Sequence, residues 1–191
     1  MIYITSDLHF GHDKDFMYAP RGFKDIEEAD SAIVDNWNSI VNDEDDIYVL
    51  GDVMLNDDEN GIRRWNQLKG SKYVIIGNHD SAARIMLLKE CPNTEVLGHA
   101  DVIKYDGFSF YLSHYPTITS SFEYNARLKL GLINLCGHTH TNDRFVDESK
   151  GRIYHCELDC HDNKPVSIDE IISDLISKNQ SYRANDNKEK T

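Results

Sequence analysis

Long apolar runs, paired cysteines and targeting segments are all missing from this sequence. No run of about 18 apolar residues occurs, so no membrane-spanning helix is predicted. The first seven residues lack the basic, apolar and small-residue segments of a signal peptide. The four cysteines form no Cys-x-x-Cys pair, which favours free thiols in a reducing compartment over a disulfide framework. We therefore expect a cytoplasmic protein without a membrane anchor.

Positive charge is also scarce. Lysine and arginine number 20 against 33 aspartates and glutamates, which gives a formal net charge of −13. Such a surface repels a phosphate backbone unless another positive charge lies at the contact. The charge therefore argues against general binding to DNA, RNA or an anionic membrane face.

Few residues that favour disorder are present. Only 4 prolines and 11 glycines occur, and hydrophobic residues make up 40% of the chain, which indicates a globular protein. A chain of 191 residues fits one compact domain. We predict a single domain over residues 1–178 and a polar, disordered tail over residues 179–191.

Apolar patterns predict strands and helices that alternate in the first half of the chain. The predicted strands span residues 2–4, 46–50, 72–76, 100–105, 108–112, 132–136 and 151–158. The predicted helices span residues 25–41, 61–68, 81–89 and 167 to about 177. Asp106-Gly107 has the composition of a tight hairpin turn between two strands. Together these elements predict an α/β protein with helices outside mixed sheets.

A polar residue able to bind a metal follows each of five apolar strands. These residues are Asp7, Asp52, Asn78, His114 and His138. Ligand sites in open α/β sheets lie at the carboxyl ends of strands, so the pattern predicts one site gathered from distant sequence. Glycines precede three of the five residues and are expected to form the tight turns that aim these side chains.

Carboxylates, imidazoles and one amide oxygen make up this predicted site. Such donors suit Mn²⁺, Fe, Zn²⁺, Co²⁺ or Ni²⁺ better than Ca²⁺ or an iron–sulfur cluster. The donors are too numerous for one ion. A metal pair about 3.5–4 Å apart can clamp the attacking and leaving oxygens of a phosphoryl displacement. We expect two divalent transition-metal ions, with Mn²⁺ as the first choice.

Five short motifs occur in order along the chain, as Asp7-Leu-His9, Gly51-Asp52, Gly77-Asn78-His79-Asp80, His114 and Gly137-His138-Thr139-His140. They match the blocks D-x-H, G-D, G-N-H-D/E, H and G-H-x-H, and the sequence therefore resembles the calcineurin-like metallophosphoesterase superfamily. The opening through His12, with Arg21-Gly-Phe23 and Asn36-Trp-Asn38, also resembles a small bacterial and bacteriophage branch of the superfamily.

The resemblance implies a fold and a set of roles. The implied fold is a sandwich of two mixed β-sheets flanked by helices, with the metals at one edge. The implied ligands are Asp7, His9 and His140 for one metal, Asn78, His114 and His138 for the other, and Asp52 as the bridge. A hydroxide shared by the metals would be the nucleophile. His79 would contact the phosphate and assist the leaving oxygen, with Asp80 orienting the His79 ring.

Two departures from the superfamily patterns bear on the substrate. Protein phosphatases and diadenosine-tetraphosphate hydrolases continue the second block as G-D-x-x-D-R-G, whereas this chain reads Gly51-Asp52-Val-Met-Leu-Asn56. The phosphatases also end the third block in glutamate, where Asp80 stands here. These differences disfavour a phosphoprotein phosphatase. We expect hydrolysis of a phosphodiester or small phosphoester, in a site that is open or roofed by loops at residues 12–23 and 117–129.

Several alternatives stay open. The same motifs fit a non-catalytic metal-binding scaffold. They also fit a nuclease that acts on short or single-stranded nucleic acid, because two metals would supply positive charge at the site. His12 either faces the substrate or stabilises its loop, and Arg21 either contacts a second phosphate or forms a surface salt bridge. Cys156, Cys160 and His161 lack the second ligand pair of a structural zinc site, and their role is not predicted. Neither is the oligomeric state.

Overall fold

The computed structural model describes residues 1–119, 128–146 and 152–189, with side chains as far as residue 180. The strands are β1 (Ile2–Thr5), β2 (Asp46–Val49), β3 (Ser71–Ile75), β4 (Thr94–Gly98), β5 (Ala100–Tyr105), β6 (Phe108–Ser113), β7 (Leu132–Cys136), β8 (Ile153–His155) and β9 (Val166–Ser167). The helices are α1 (Asp15–Tyr18), α2 (Ile26–Ile40), α3 (Asp58–Trp65), α4 (Ala82–Lys89) and α5 (Ile168–Glu189), with 3₁₀ turns at Leu128–Leu130 and Leu158–Cys160. Within these ranges no helix is long and apolar enough to cross a bilayer.

The strands form two sheets, and each sheet contains parallel and antiparallel pairs. The first has the order β4-β3-β2-β1-β9, in which only β9 runs antiparallel to its neighbour. The second has the order β5-β6-β7-β8, in which β5 and β6 form the predicted hairpin. Asp106 and Gly107 of its turn both have positive φ, as this type of turn requires. The predicted α/β sandwich of two mixed sheets is confirmed.

Two hydrophobic cores hold the layers together. Ile47 of β2 belongs to the core that the first sheet forms with Trp37 of α2. Leu50, just past β2, belongs to a second core that contains Phe110 of β6 and Leu175 of α5. Full burial of such side chains contributes roughly 1.5–3 kcal/mol each. The second core lies between the sheets, so it fixes the edge of one sheet relative to the other.

Helix α3 begins earlier than the sequence predicts. The predicted start was Gly61, but the helix begins at Asp58. The cause is local, because the Asp57 carboxylate accepts the backbone N–H of Asn60 at 3.0 Å and so caps the helix.

Helix α5 is longer than the sequence predicts. Its expected end lay near Ser177, whereas the helix continues to Glu189. Residues 178–189 contain neither proline nor glycine, so nothing in their composition stops the helix. Residues 179–189 thus belong to a helix in the structure, and the division into a domain over residues 1–178 and a disordered tail over residues 179–191 stays a prediction.

The strand directions bring the ends of both sheets together. β1, β2 and β3 are parallel, and so are β6, β7 and β8, so each group ends at one edge of its sheet. Ser6, just past β1, forms a parallel bridge with Glu157, just past β8. The two edges are therefore adjacent, and the loops after these six strands meet.

Asp30 of α2 is buried beneath the loop that follows β1. Its carboxylate accepts the backbone N–H of Gly11 at 3.1 Å and the side-chain amide of Asn60 at 2.6 Å. Burial nevertheless raises the pKa of Asp30 from 3.8 to about 6, because the charged form loses water. The folded chain therefore holds a proton at this carboxyl over a pH range in which the unfolded chain has released it.

We expect this carboxyl to make the free energy of unfolding fall as pH rises from about 4 to about 6. A pKa raised by this amount corresponds to a loss of up to ~3 kcal/mol across the window. The variant Asp30→Asn lacks the titrating carboxyl. The difference in unfolding free energy, wild type minus variant, should therefore fall as pH rises through the same window. Urea denaturation at several pH values, with a chelator present, measures both. A difference that does not change with pH would contradict this origin.

Candidate metal centre

The loops after the parallel strands bring the motif residues to one place. Asp7 and His9 follow β1, Asp52 follows β2, and Asn78, His79 and Asp80 follow β3. His114 follows β6, and His138 and His140 follow β7. Two groups have ligand atoms that all lie within 4.8 Å of one another, namely Asp7 with His9 and His140, and Asp7 with Asp52 and His114. Distant sequence therefore converges on one cluster, as the strand endings predicted.

Five residues of the cluster have left-handed backbone. Their φ angles are 58° for Asp7, 51° for His9, 55° for Asp52, 80° for His138 and 49° for His140. This conformation costs about 1–3 kcal/mol for a residue other than glycine, although aspartate and histidine adopt it more readily than most. The sharp turns that result aim alternate side chains, such as those of Asp7 and His9, toward a common point, while Leu8 between them packs into the core.

Two motif glycines are required for close approach. A Cβ at Gly137 would overlap the Ser6 hydroxyl and the Asp7 carboxylate, and a Cβ at Gly77 would overlap the Asp52 carboxylate. Neither glycine has positive φ. The sequence suggested tight turns as their purpose, whereas the structure shows that they leave room for two buried carboxylates.

Asp7 is fully buried, and its two oxygens have different surroundings. Oδ2 accepts the Ser6 hydroxyl at 2.5 Å and the backbone N–H of His138 at 2.8 Å. Oδ1 has no hydrogen-bond partner among the described residues and lies 3.6 Å from Nε2 of both His9 and His140. Burial alone would raise the pKa of Asp7, but the His9, His140 and His114 rings together hold it below its ordinary value. Asp7 is therefore a charged carboxylate with one free oxygen.

Asp52 shows the same division. Its Oδ1 accepts the backbone N–H of His79 at 2.8 Å. Its Oδ2 lies 3.6 Å from His9 Nε2 and 3.5 Å from His114 Nε2. Because His9 belongs to one ligand group and His114 to the other, this oxygen occupies the position that a bridging ligand would take.

His114 lies among acceptor atoms. Its Nδ1 lies 2.8 Å from the Leu50 carbonyl and donates to it, which in a neutral ring leaves a lone pair on Nε2. That Nε2 lies 2.7 Å from Asn78 Oδ1 and 3.2 Å from His138 Nδ1. Several lone pairs thus face one another, an arrangement that a cation would satisfy.

His9 provides the clearest test of whether the cluster fits metal ions. Its ring is buried, yet neither ring nitrogen has a hydrogen-bond partner among the described residues. A buried polar group without a partner costs about 1–3 kcal/mol, unless an ion supplies the missing interaction. Nitrogen and oxygen donors of this type suit divalent transition metals. The residues present therefore fit the metals that the motifs imply.

Arg21 lies behind the cluster and does not face outward. Its side chain is buried, and its Nε and Nη2 donate to both oxygens of Asp159 at 3.1 and 2.8 Å. Nη2 also donates to the Asp7 carbonyl at 2.8 Å. This geometry argues against the phosphate contact that the sequence suggested for Arg21, because the guanidinium already donates to Asp159 and to the Asp7 carbonyl.

Asp159 is a residue that the sequence reasoning missed. It accepts His140 Nδ1 at 3.1 Å as well as the Arg21 guanidinium, so it leaves His140 Nε2 free to face Asp7. Burial raises the pKa of Asp159, but His140 and Arg21 outweigh burial and hold it at about 2. A carboxylate that fixes the second nitrogen of a histidine is a common support for a metal ligand.

Glu157 supports the neighbouring loop and was also missed. Its Oε1 accepts the backbone N–H of Thr139 at 3.2 Å and the Thr139 hydroxyl at 2.9 Å, and its carboxylate pairs with His155. The sequence placed residue 157 inside a long strand, whereas β8 ends at His155. The signal was the same as for the five strands, since carboxylates follow this parallel strand too.

Asp80 binds backbone N–H groups of two loops, and its carboxylate is not directed at the ring of His79. Its carboxylate accepts the backbone N–H groups of Gly77 at 2.8 Å, Asp52 at 2.9 Å and Val53 at 3.2 Å. The expectation that Asp80 orients the His79 ring is corrected accordingly. Asp80 instead holds the loop after β3 against the loop after β2.

His12 lies at the border of the cluster. The His12 ring is buried, 5.5 Å from His9, and burial lowers its pKa to about 4. Its contact with substrate stays a prediction. Of the two predicted roof loops, the first contains α1, and residues 120–127 of the second lie outside the described residues. His161 Nε2 donates to the His155 carbonyl at 2.9 Å, so this histidine has a structural partner.

Comparison with known proteins identifies the class. The model of the calcineurin-like phosphoesterase superfamily domain matches residues 1–156, and the chain belongs to that superfamily. An uncharacterized protein of Methanocaldococcus jannaschii is 30% identical, with 95% of this chain and 94% of that protein covered. The gene 66 protein of Mycobacterium phage L5 is 28% identical, with 92% and 93% covered. The crystal structure of a protein of unknown function from Aquifex aeolicus is 28% identical, with a TM-score of 0.67 and with 91% and 98% covered.

We expect Asp159→Asn to weaken Mn²⁺ binding about 10- to 100-fold, since His140 loses its charged support. Asp174→Asn is a matched control, because Asp174 also pairs with an arginine, Arg144, at 2.8 Å but on α5. Isothermal titration with Mn²⁺ measures both variants without an activity assay. Equal affinities in wild type and Asp159→Asn would contradict the supporting role.

Proposed function

We propose that this protein is a two-metal phosphodiesterase that hydrolyses a phosphodiester or another small phosphoester. The observation that carries the proposal is the pair of buried aspartates, each with one oxygen bound to a loop and the other free among histidine nitrogens. The proposed ligands are Asp7, His9 and His140 for one metal, Asn78, His114 and His138 for the other, and Asp52 for both. Membership of the superfamily supports a phosphoesterase activity.

Bound metals would polarise the phosphate and lower the pKa of a water molecule toward neutrality. The residue proposed to act on the leaving group is His79, whose ring is 41% exposed at the edge of the cluster. Its backbone is fixed on both sides, by Asp52 Oδ1 at the N–H and by Arg84 Nη1 at the carbonyl. A histidine held in this way can donate a proton to the leaving oxygen.

Charge supports a small substrate. The net charge of −13 repels long polyanions, whereas two divalent ions beside the two carboxylates of Asp7 and Asp52 give 4 − 2 = +2 at the site. We therefore propose a small phosphoester as the partner, with neither long nucleic acid nor a membrane surface. Mn²⁺ is the proposed first metal to test, since all the donors are nitrogen and oxygen.

We expect the Mn²⁺-loaded protein to hydrolyse bis(p-nitrophenyl) phosphate, and His79→Ala to lower kcat about 10²- to 10⁴-fold. Nitrophenol release measures the rate, and metal analysis checks that His79→Ala still binds Mn²⁺. His99→Ala, an exposed histidine on the loop between β4 and β5, should leave the rate unchanged. A metal-loaded wild type without activity would instead favour the scaffold function.

We expect the wild type to bind close to two Mn²⁺ ions per chain and Asp52→Asn to bind fewer. The asparagine oxygen can still accept the His79 N–H, but the free carboxylate oxygen between His9 and His114 is lost. Elemental analysis after gel filtration measures the ratio, and thermal unfolding checks the fold. Equal occupancy in the two proteins would rule out Asp52 as the bridge.

A further inference from the structure

Two exposed aromatic side chains lie beside the cluster and have no part in the function proposed so far. Phe16 in α1 is 68% exposed, and Tyr115, directly after His114, is 51% exposed. Aromatic rings bury large areas when they find a partner, so two open rings at the edge of a candidate site suggest a ligand. The position of each ring relative to the two groups of metal ligands indicates which part of a substrate it would contact.

Phe16 lies on the side of the first ligand group. Its ring centroid is 5.6 Å from that of His12, with the planes at 87°. The His12 ring is in turn 5.5 Å from His9. Phe16 is therefore one ring beyond the group formed by Asp7, His9 and His140.

Tyr115 lies on the side of the second ligand group. Its ring centroid is 5.1 Å from that of His114 and 4.6 Å from that of His138, with both interplanar angles at 69°. Steep contacts of this kind, together with the exposure of the ring, leave ring surface open for another stacking partner. Each ligand group thus has its own open aromatic ring.

We propose that Phe16 and Tyr115 stack on planar groups at the two ester arms of the substrate, which would make the substrate class a short nucleotide phosphodiester. The inference rests on the proposed function, because it places the reacting phosphate between the two ligand groups. Nucleobases stack on aromatic side chains whatever their sequence, and one stacked base strengthens binding about 5- to 150-fold.

The reaction balances without another reactant. The oxygen of one water molecule forms a bond to phosphorus while the bond from phosphorus to one ester oxygen breaks. That ester oxygen takes a proton, and the products are a phosphomonoester and an alcohol, here a nucleotide and a nucleoside or shorter oligonucleotide. His79, at the exposed edge of the cluster, is the residue placed to supply the proton.

The test compares two esters with the same leaving group. Thymidine 5′-(p-nitrophenyl) phosphate has a planar group on each arm, whereas methyl p-nitrophenyl phosphate has one. With Mn²⁺-loaded protein, we expect kcat/KM to be about 5- to 150-fold higher for the thymidine ester, mainly through KM. Phe16→Leu and Tyr115→Leu each remove one ring. The variant that loses the ring stacked on thymine should bring the ratio of kcat/KM for the thymidine ester to that for the methyl ester down toward one.

Controls separate stacking from other effects. Phe16→Tyr and Tyr115→Phe retain a ring and should retain the preference. Tyr105→Leu changes an aromatic residue at the opposite end of the second sheet and should leave both esters unaffected. The rings of Phe16 and Tyr115 are exposed, whereas Tyr105 packs partly against the second core, so circular dichroism with Mn²⁺ titration checks the fold and metal binding of every variant.

The outcomes distinguish the two proposals. If the wild type hydrolyses both esters equally well, or if neither leucine variant changes the ratio, the nucleotide class is overturned and the phosphodiesterase stands. If the metal-loaded wild type hydrolyses neither ester, the phosphodiesterase fails and the substrate inference fails with it. A preference that depends on one ring and is kept by its aromatic replacement supports the nucleotide class.

Discussion

The candidate site depends on two buried aspartates, each of which uses one oxygen to hold a loop and leaves the other facing the metal ligands. One oxygen of Asp7 holds the His138 backbone and one oxygen of Asp52 holds the His79 backbone, while the other oxygens face His9. Because Asp7 follows a strand of the first sheet and His138 follows a strand of the second, this bond also joins the sheets. The left-handed turns around it persist because the two cores already fix the sheets.

The sequence was most informative about elements that bury a regular apolar pattern. The strands that lead into the site and helices α2 and α4 were all predicted within a few residues. β4 was not, since a glutamate interrupts Thr94–Gly98, and two-residue β9 exists only through its pairing with β1. The sandwich of two mixed sheets came from the family resemblance, and the order of the strands was not predicted, because pairing between distant strands leaves no local pattern.

The motif residues were found because each belongs to a short signature directly after a strand. Their supports were not, since Arg21 and Asp159 meet across 138 residues and no spacing in the chain records that contact. Asp80 shows a related limit. It is adjacent to His79 in sequence, yet it bonds to backbone groups behind that residue, because the sharp turn directs neighbouring side chains to different places.

The long separation between partners also has a consequence for how the protein is made. Asp7 and His9 leave the ribosome first, but the backbone that holds Asp7 comes 131 residues later, and the carboxylate that holds Arg21 later still. Contacts so distant form only after the intervening chain has closed upon itself. A nascent chain that has not yet reached His140 therefore carries an incomplete donor set, and the complete set forms only when both sheets are in place.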